Sequence, residues 1–141
     1  MHFANIDDTK EIMDLFKLHK DIFPYVRKDY IERMIKSKNV IFEDGFVIVF
    51  KKYKRKQHIG NCMAQKDDIS WSEFVCKNPK HAIDAIKKFI KFVKAPIWSL
   101  TRENNIKMRI FNERIGFKKI GNIFWKNGEL PGLIYYYNGD I

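Results

Sequence analysis

Residues 97–117 read IWSLTRENNIKMRIFNERIGF, and no other stretch is as informative about the architecture of the chain. The first five residues are rich in apolar and β-branched side chains, which predicts a strand. Asn104 or Asn105 can then cap the helix that follows. Gly116 stands where a helix commonly ends in a left-handed residue, and Phe117 is the apolar residue that closes a Schellman motif. The stretch therefore predicts a strand, a helix and a defined helix stop.

Toward the N-terminus, hydrophobic periodicity and turn residues predict further helices and strands. Asp8-Thr9-Lys10-Glu11 has the form of a capping box for a first helix that runs to about Lys20. Asp44-Gly45 separates two apolar runs, which is a strong hairpin signal. The predicted elements are a short strand at 1–6, helices at 9–20 and 29–36, strands at 40–42, 46–50, 58–64 and 69–76, and a long amphipathic helix at 82–93 after Pro79.

Toward the C-terminus, Asn127-Gly128 predicts a second hairpin. Its strands are expected at 118–126 and 133–137, with Pro131-Gly132 lengthening the loop between them. Strand-helix-strand connections mixed with hairpins predict an α/β sheet that is partly antiparallel.

The composition limits the class of protein. The chain has 141 residues, of which 45% are hydrophobic and 15% aromatic; this excludes intrinsic disorder and predicts one domain over residues 1–141. The longest apolar run, at 46–50, is too short to cross a bilayer, and the N-terminus has no signal-peptide pattern, so no membrane association is expected. Cys62 and Cys76 lack CxxC spacing, which fits the reducing cytoplasm and argues against a zinc site.

The net charge of +10 permits an anionic partner but does not identify one. Lys outnumbers Arg 21 to 6 and Ile outnumbers Leu 20 to 5, a skew toward residues with A/T-rich codons. A nucleic-acid-binding protein would rely more on Arg for bidentate contacts. The basic run at 51–56 either contacts phosphate or keeps an edge strand soluble. Nucleic acid therefore stays an open alternative among the partners.

Several catalytic motifs are absent. The sequence contains no GxGxxG, GxxxxGK[ST], GxSxG or HExxH, and its four histidines lack metal-ligand spacing. A Rossmann oxidoreductase, a P-loop NTPase and a zinc hydrolase therefore have little support, and no metal site is expected.

Residues 97–117 resemble the late strand and last helix of the GNAT superfamily of acyl-CoA-dependent N-acyltransferases. The family pattern there is Asn-x-x-Ala-x-x-Phe-Tyr-Glu-x-x-Gly-Phe, and it is matched at the right spacing by Asn105, Phe111, Glu113, Gly116 and Phe117. The closing hairpin is similar to that of a bacterial and phage-type branch in Gly121, Trp125, Lys126, Gly128, Pro131-Gly132 and Tyr135. The resemblance implies an α+β fold with a mixed, mostly antiparallel twisted sheet of six to seven strands and about four helices.

The resemblance also implies acetyl-CoA as co-substrate. In the family, the strand before the long helix pairs with the pantetheine arm, and a backbone N–H there polarises the acyl carbonyl. The next residues form the pyrophosphate loop, whose backbone N–H groups bind the phosphates; side chains are not needed there, although a Lys could add a contact. The cofactor-binding residues implied by the resemblance are Phe74, Val75, Cys76, Lys77, Lys80, His81, Ala82, Asn105 and Phe111.

The pyrophosphate loop departs from the family pattern Gln/Arg-x-x-Gly-x-Gly/Ala. Lys77 keeps a cation at the first position and Ala82 fits the last, but Lys80 replaces the first Gly. Pro79 removes one N–H donor. His81 serves as a base, as a phosphate donor or simply as the start of the helix. The resemblance therefore includes a degenerate loop.

The catalytic residues that the resemblance implies are Glu73 and Asn112. Glu73 lies on the strand beside the co-substrate and is the candidate general base; the alternative is a surface carboxylate paired with a lysine. Asp68 is a weaker candidate for the base. Asn112 replaces the Tyr that protonates the leaving thiolate in the family, and an amide is no acid. Cys76 fits a small buried hydrophobic residue better than a nucleophile.

Together these residues predict a cytoplasmic N-acetyltransferase that moves an acetyl group from acetyl-CoA to an amine by direct attack. The acceptor is a small molecule or a macromolecule, and no residue type selects one. Two alternatives remain: a GNAT-fold binding module whose catalysis is impaired by Asn112 and Lys80, and a nucleic-acid-associated protein.

Overall fold

The structure is a computed structural model that describes residues 1–125 and 127–138. Lys126, which the resemblance included, lies outside the described residues. In chain order the elements are β1 (His2–Phe3), a 3-10 turn (Ile6–Asp8), α1 (Thr9–Lys17), α2 (Lys28–Lys36), β2 (Val40–Glu43), β3 (Phe46–Lys52), β4 (Gln57–Ile59), β5 (Cys62–Ala64), β6 (Ile69–Cys76), a 3-10 turn (Pro79–His81), α3 (Ala82–Val93), β7 (Ile97–Arg102), α4 (Ile106–Arg114), β8 (Lys118–Trp125) and β9 (Leu130–Tyr137).

Seven of these strands form one mostly antiparallel sheet, in the order β1-β2-β3-β6-β7-β9-β8. The parallel ladder joins β6 to β7, where Ile69 pairs with Ile97 and Ser70 with Trp98. β4 and β5 form a separate two-stranded ribbon. The predicted class, a mixed and mostly antiparallel sheet of six to seven strands with about four helices, is confirmed.

The chain divides into two compact units. The first unit comprises Met1–Lys51 and Ser72–Phe92, and the second comprises Lys52–Trp71 and the chain from Val93 onward. One domain over residues 1–141 stays a prediction.

The core of the first unit is aliphatic and aromatic. Helices α1 and α2 each present one apolar face, because their buried residues recur at helical spacing. The buried residues of this core are Ala4, Ile12, Leu15, Phe16, Ile31, Ile35, Val40, Phe42, Val47, Val49 and Val75.

The start of the first unit differs from the prediction. The capping box belongs to the 3-10 turn: the side chain of Asn5 accepts from the Asp7 amide at 3.0 Å, and Asp8 Oδ2 accepts from the Asn5 amide at 3.0 Å. The Asp8 side chain makes no cap hydrogen bond to α1, so the predicted box at residues 8–11 is wrong. Helix α1 also ends at Lys17 instead of Lys20.

The second unit contains a ribbon that the sequence pattern did not separate. The single strand predicted at 58–64 is two strands, β4 and β5, joined at Gly60-Asn61. Gly60 has φ +56°, a left-handed conformation that favours glycine. One buried hydrophobic cluster of this unit contains Tyr53, Ile59, Ala64, Trp98 and Ile134.

The closing part of the second unit follows the prediction closely. The Gly116 amide donates to the Glu113 carbonyl at 3.1 Å, and the Phe117 amide donates to the Asn112 carbonyl at 2.9 Å. With φ +92° at Gly116, these bonds make the predicted Schellman motif. The last hairpin differs in one respect, because Pro131-Gly132 belong to β9 and do not lengthen the loop.

Among the described residues, no helix combines the length and apolar character needed to span a membrane. The cytoplasmic location stays a prediction.

Candidate functional site

Glu73 lies in the middle of β6 and is half-buried. Val75, two residues further along the strand and therefore on the same face, is buried in the core of the first unit. Burial raises the pKa of the Glu73 carboxyl above its ordinary value, and a hydrogen bond from Tyr30 opposes part of that rise. A carboxylate with a raised pKa is a stronger proton acceptor than an exposed one.

Tyr30, at the start of α2, is the hydrogen-bond partner of Glu73. Its hydroxyl donates to Glu73 Oε2 at 3.3 Å, across 43 residues of sequence. Burial, followed by the charge of Glu73, raises the pKa of Tyr30 to about 12, so this hydroxyl keeps its proton at neutral pH. Tyr30 is a site residue that the sequence pattern does not predict, because helical periodicity places it only in a partial apolar stripe of α2.

Asp68, the weaker candidate for the general base, is 4% exposed and held within the second unit. Its Oδ2 accepts from Trp98 Nε1 at 2.9 Å and from the Gln65 amide at 2.9 Å. These bonds satisfy a buried carboxylate and leave it no open approach. The structure therefore contradicts Asp68 as a base and gives it a structural role.

The end of β6 carries the residues predicted to lie along the co-substrate. Val75 has its side chain in the core and Phe74 is half-buried. Cys76 Sγ donates to the Asn78 carbonyl at 3.1 Å, and burial raises the pKa of the thiol above its ordinary value. A thiol that is harder to ionise is a poor nucleophile, which agrees with an attack that needs no cysteine.

The loop before α3 satisfies its own amides. The Lys80 amide donates to Asn78 Oδ1 at 3.1 Å, and the His81 amide donates to the Asn78 carbonyl at 2.9 Å. The Ala82 amide donates to the Pro79 carbonyl. These three amides already have acceptors within the loop, and phosphate binding by the loop stays a prediction. Asn78 occupies the acceptor position that a phosphate oxygen would take.

A cavity of about 710 Å³ opens beside this loop in the first unit. The Lys77 amide closes one side by donating to the Gly45 carbonyl at 2.7 Å. Lys88 Nζ donates to Glu43 Oε1 at 3.0 Å, and this hydrogen bond is the main reason that the pKa of Glu43 is lowered. The walls mix both charge signs: Glu43, Asp44, Gly45, Phe46, Cys76, Lys77, Asn78, Pro79, His81, Asp84, Ala85 and Lys88.

Asn112, in α4 of the second unit, has no exposed surface. Its Oδ1 accepts from Ser99 Oγ at 3.1 Å, and its Nδ2 donates to Thr101 Oγ1 at 3.0 Å. Trp71 Nε1 donates to the same Ser99 hydroxyl at 3.1 Å. Both ends of the amide are therefore engaged in a buried network. This geometry gives no support to the catalytic role that the resemblance implies for Asn112.

Asn105 and Phe111, the predicted cofactor-binding residues at the last helix, also belong to the second unit. Asn105 is the N-cap, and its Oδ1 accepts from the Met108 amide at 3.1 Å. This settles the choice between Asn104 and Asn105 in favour of Asn105. Phe111 is half-buried. The side chain of Asn105 is thus used by the helix, and binding of a co-substrate by Asn105 or Phe111 stays a prediction.

No group of three or more histidine, cysteine or acidic side chains within residues 1–125 and 127–138 is arranged to hold a metal ion.

Several solved structures that share this fold are described as acetyltransferases. A GNAT-family acetyltransferase from Streptococcus agalactiae aligns with TM-score 0.71 and 13% identity over 99% of this chain and 95% of that one. A GNAT-family acetyltransferase from Bacillus cereus aligns with TM-score 0.64 and 18% identity over 96% and 94%. The yncA protein from Salmonella typhimurium, solved with its cofactor acetyl-CoA, aligns with TM-score 0.66 and 14% identity over 99% and 92%.

The chain therefore has the GNAT fold, as the resemblance of residues 97–117 predicted. No protein-family profile and no curated protein matches the sequence.

Proposed function

We propose that this chain is an acetyl-CoA-dependent N-acyltransferase in which Glu73 is the general base. The observation that carries the proposal is the half-buried Glu73 carboxylate with its raised pKa, on the strand that lines the co-substrate in the family it resembles. The acetyl-CoA bound to the yncA protein supports the choice of co-substrate.

Acetyl-CoA supplies an acetyl thioester when it is bound. Glu73 takes one proton from the acceptor nitrogen, directly or through a water, so that the nitrogen lone pair is available for the new N–C bond. The C–S bond breaks as the N–C bond forms, and the second proton that the acceptor nitrogen loses ends on the departing sulfur, which leaves as the thiol. A thiol pKa of about 8.5 makes the thiolate a tolerable leaving group, so no acid is required at position 112.

The residues present fit a diphosphate through side chains. Lys77 and Lys80 are exposed ammonium groups beside the start of α3, whereas the amides of residues 80–82 are engaged within the loop. Asp44 and Asp84 are unfavourable neighbours for phosphate, whereas Lys77, which also lines the cavity, is a favourable one. We therefore assign Lys77 and Lys80 to the diphosphate and leave the rest of the cavity unassigned.

The test is Glu73→Gln, assayed by thiol release from acetyl-CoA with a panel of small amines and N-terminal peptides. Because the amide cannot accept the proton, we expect kcat to fall about 100-fold. The affinity for acetyl-CoA, measured by calorimetry, should stay unchanged.

Glu11→Gln is the matched control, because Glu11 is an exposed glutamate of α1 in the same unit. Equal activity of the Glu73→Gln and wild-type proteins, at equal acetyl-CoA affinity, would rule out Glu73 as the base.

The self-capped loop favours a second candidate, a GNAT-fold binding module without catalysis. It is distinguished by the same experiment: a module binds an amine or acetyl-CoA without releasing thiol with any acceptor. Absence of acetyl-CoA binding at millimolar concentration would reject the enzyme and leave the module.

A further inference from the structure

The Tyr30–Glu73 hydrogen bond joins two elements that are far apart in the sequence, and both ends are anchored in one core. Tyr30 is followed by Ile31, which has no exposed surface. Glu73 lies two residues before the buried Val75, so the two side chains are on the same face of the strand. Ile31 and Val75 belong to the same buried cluster. Tyr30 itself packs against this cluster. Because the neighbours of both groups are packed in one core, the fold restricts the distance between hydroxyl and carboxylate.

The bond engages one oxygen of the carboxylate. Tyr30 Oη donates to Oε2, and its raised pKa of about 12 keeps the donor proton in place through neutral pH. The guanidinium of Arg33, one turn along α2, lies 5.7 Å from the centre of the Tyr30 ring and acts on Tyr30. Among the described residues, Tyr30 is the ionisable group that acts on Glu73 directly.

We propose that Tyr30 is a positioning residue for Glu73, which holds Oε2 so that Oε1 is directed to the proton of the acceptor amine. The proposal rests on the function proposed above for Glu73. Without the Tyr30 hydroxyl, the Glu73 carboxylate stays half-buried but loses its hydrogen-bond donor, so the protonated form is favoured over the ionised form. Glu73 would then be ionised, and able to accept a proton, only at higher pH. The orientation of the carboxylate would also be less restricted.

The experiment compares Tyr30→Phe with wild type through two readouts. The first is the titration of the Glu73 carboxyl carbon by NMR in protein with labelled glutamate, which needs no co-substrate and no activity. The chain has seven glutamates, and the Glu73 signal is the one missing in Glu73→Gln. We expect the midpoint to move to higher pH in Tyr30→Phe.

The second readout is the pH profile of kcat/KM. In Tyr30→Phe we expect the acid limb of this profile to move to higher pH, as the NMR midpoint does. We expect kcat of this variant to fall about tenfold at neutral pH, and the loss to become smaller as the pH rises. KM for acetyl-CoA should not change. Thermal denaturation shows whether Tyr30→Phe is folded, and a merely structural role would lower stability without moving either midpoint.

Tyr25→Phe is the matched control, since Tyr25 is 89% exposed and lies in the same unit. A Glu73 midpoint that is unchanged or lower in Tyr30→Phe overturns the inference. If wild type shows no acyl transfer, the proposed function fails and the positioning role fails with it. In that case the NMR titration still reports whether Tyr30 and Glu73 are coupled, so the two failures are told apart.

Discussion

Asn112 occupies a position that is catalytic in the family it resembles, but here its side chain has structural contacts. The resemblance placed it where a tyrosine serves the leaving group, and the structure encloses it in a network with Ser99 and Thr101. A buried amide of this kind must satisfy both its donor and its acceptor, and two neighbouring hydroxyls supply the partners. The sequence could not reveal this, because Ser99 and Thr101 lie on another element and only the packing of α4 on β7 brings them together.

We expect Asn112→Ala to lower the free energy of unfolding by about 3 kcal/mol. The substitution leaves a small cavity and removes a hydrogen-bond partner from each of the two buried hydroxyls. Denaturant unfolding gives the value. Asn104→Ala, at an exposed position that does not cap the helix, should cost less than about 0.5 kcal/mol. Similar losses in the two variants would contradict a structural role for the Asn112 network.

At the scale of elements, the local signals at α4 predict the structure correctly, whereas those at the start of α1 and at Gly60-Asn61 do not. Asn105, Gly116 and Phe117 form their cap and Schellman bonds within a few residues, so the helix they bound was visible in the sequence. The ribbon of β4 and β5 was read as one strand, although Gly60-Asn61 is a residue pair typical of hairpin turns. The hydrogen bond between Tyr30 and Glu73 is not predictable from local sequence patterns, because no local rule relates α2 to β6.

The ribbon of the second unit gives a prediction that belongs to this scale. A Cβ at Gly60 would strike the backbone carbonyl of Asn122 and approach the side chain of Ile134, and the backbone is left-handed there. We expect Gly60→Ala to cost about 3 kcal/mol and to expose the ribbon amides to hydrogen exchange, because strain and collision add.

Gly128→Ala is the control, because Gly128 also has positive φ, at +92°, but a Cβ there meets nothing within 4 Å. Backbone strain alone should then cost about 1 kcal/mol. If both variants lost the same stability, the ribbon would not be held by close packing at Gly60.

At the scale of the whole molecule, the net charge of +10 raises the question of whether its basic residues form a binding surface. One reading of the basic run at 51–56 was protection of an edge strand, but β3, which ends in it, lies between β2 and β6 in the sheet. Exposed lysines also cover α3, in the other unit from most of that run. Lysines distributed in this way, with few arginines, indicate a charge set by composition instead of one dedicated polyanion-binding surface.

This distribution predicts weak binding to nucleic acid without a preferred surface. We expect Lys52→Gln/Lys54→Gln/Lys56→Gln and Lys87→Gln/Lys91→Gln/Lys94→Gln to weaken binding to a DNA duplex equally, since each triple variant removes three exposed positive charges. Binding should fall with salt in wild type and in both variants, with slopes reduced to a similar degree. Titration of labelled duplex from about 50 to 200 mM salt measures both effects. Loss of DNA binding in the first variant alone would instead establish the basic run at 51–56 as a nucleic-acid surface. The comparison is decisive because both variants lose the same charge, so a difference between them reports a local contact and not a general attraction.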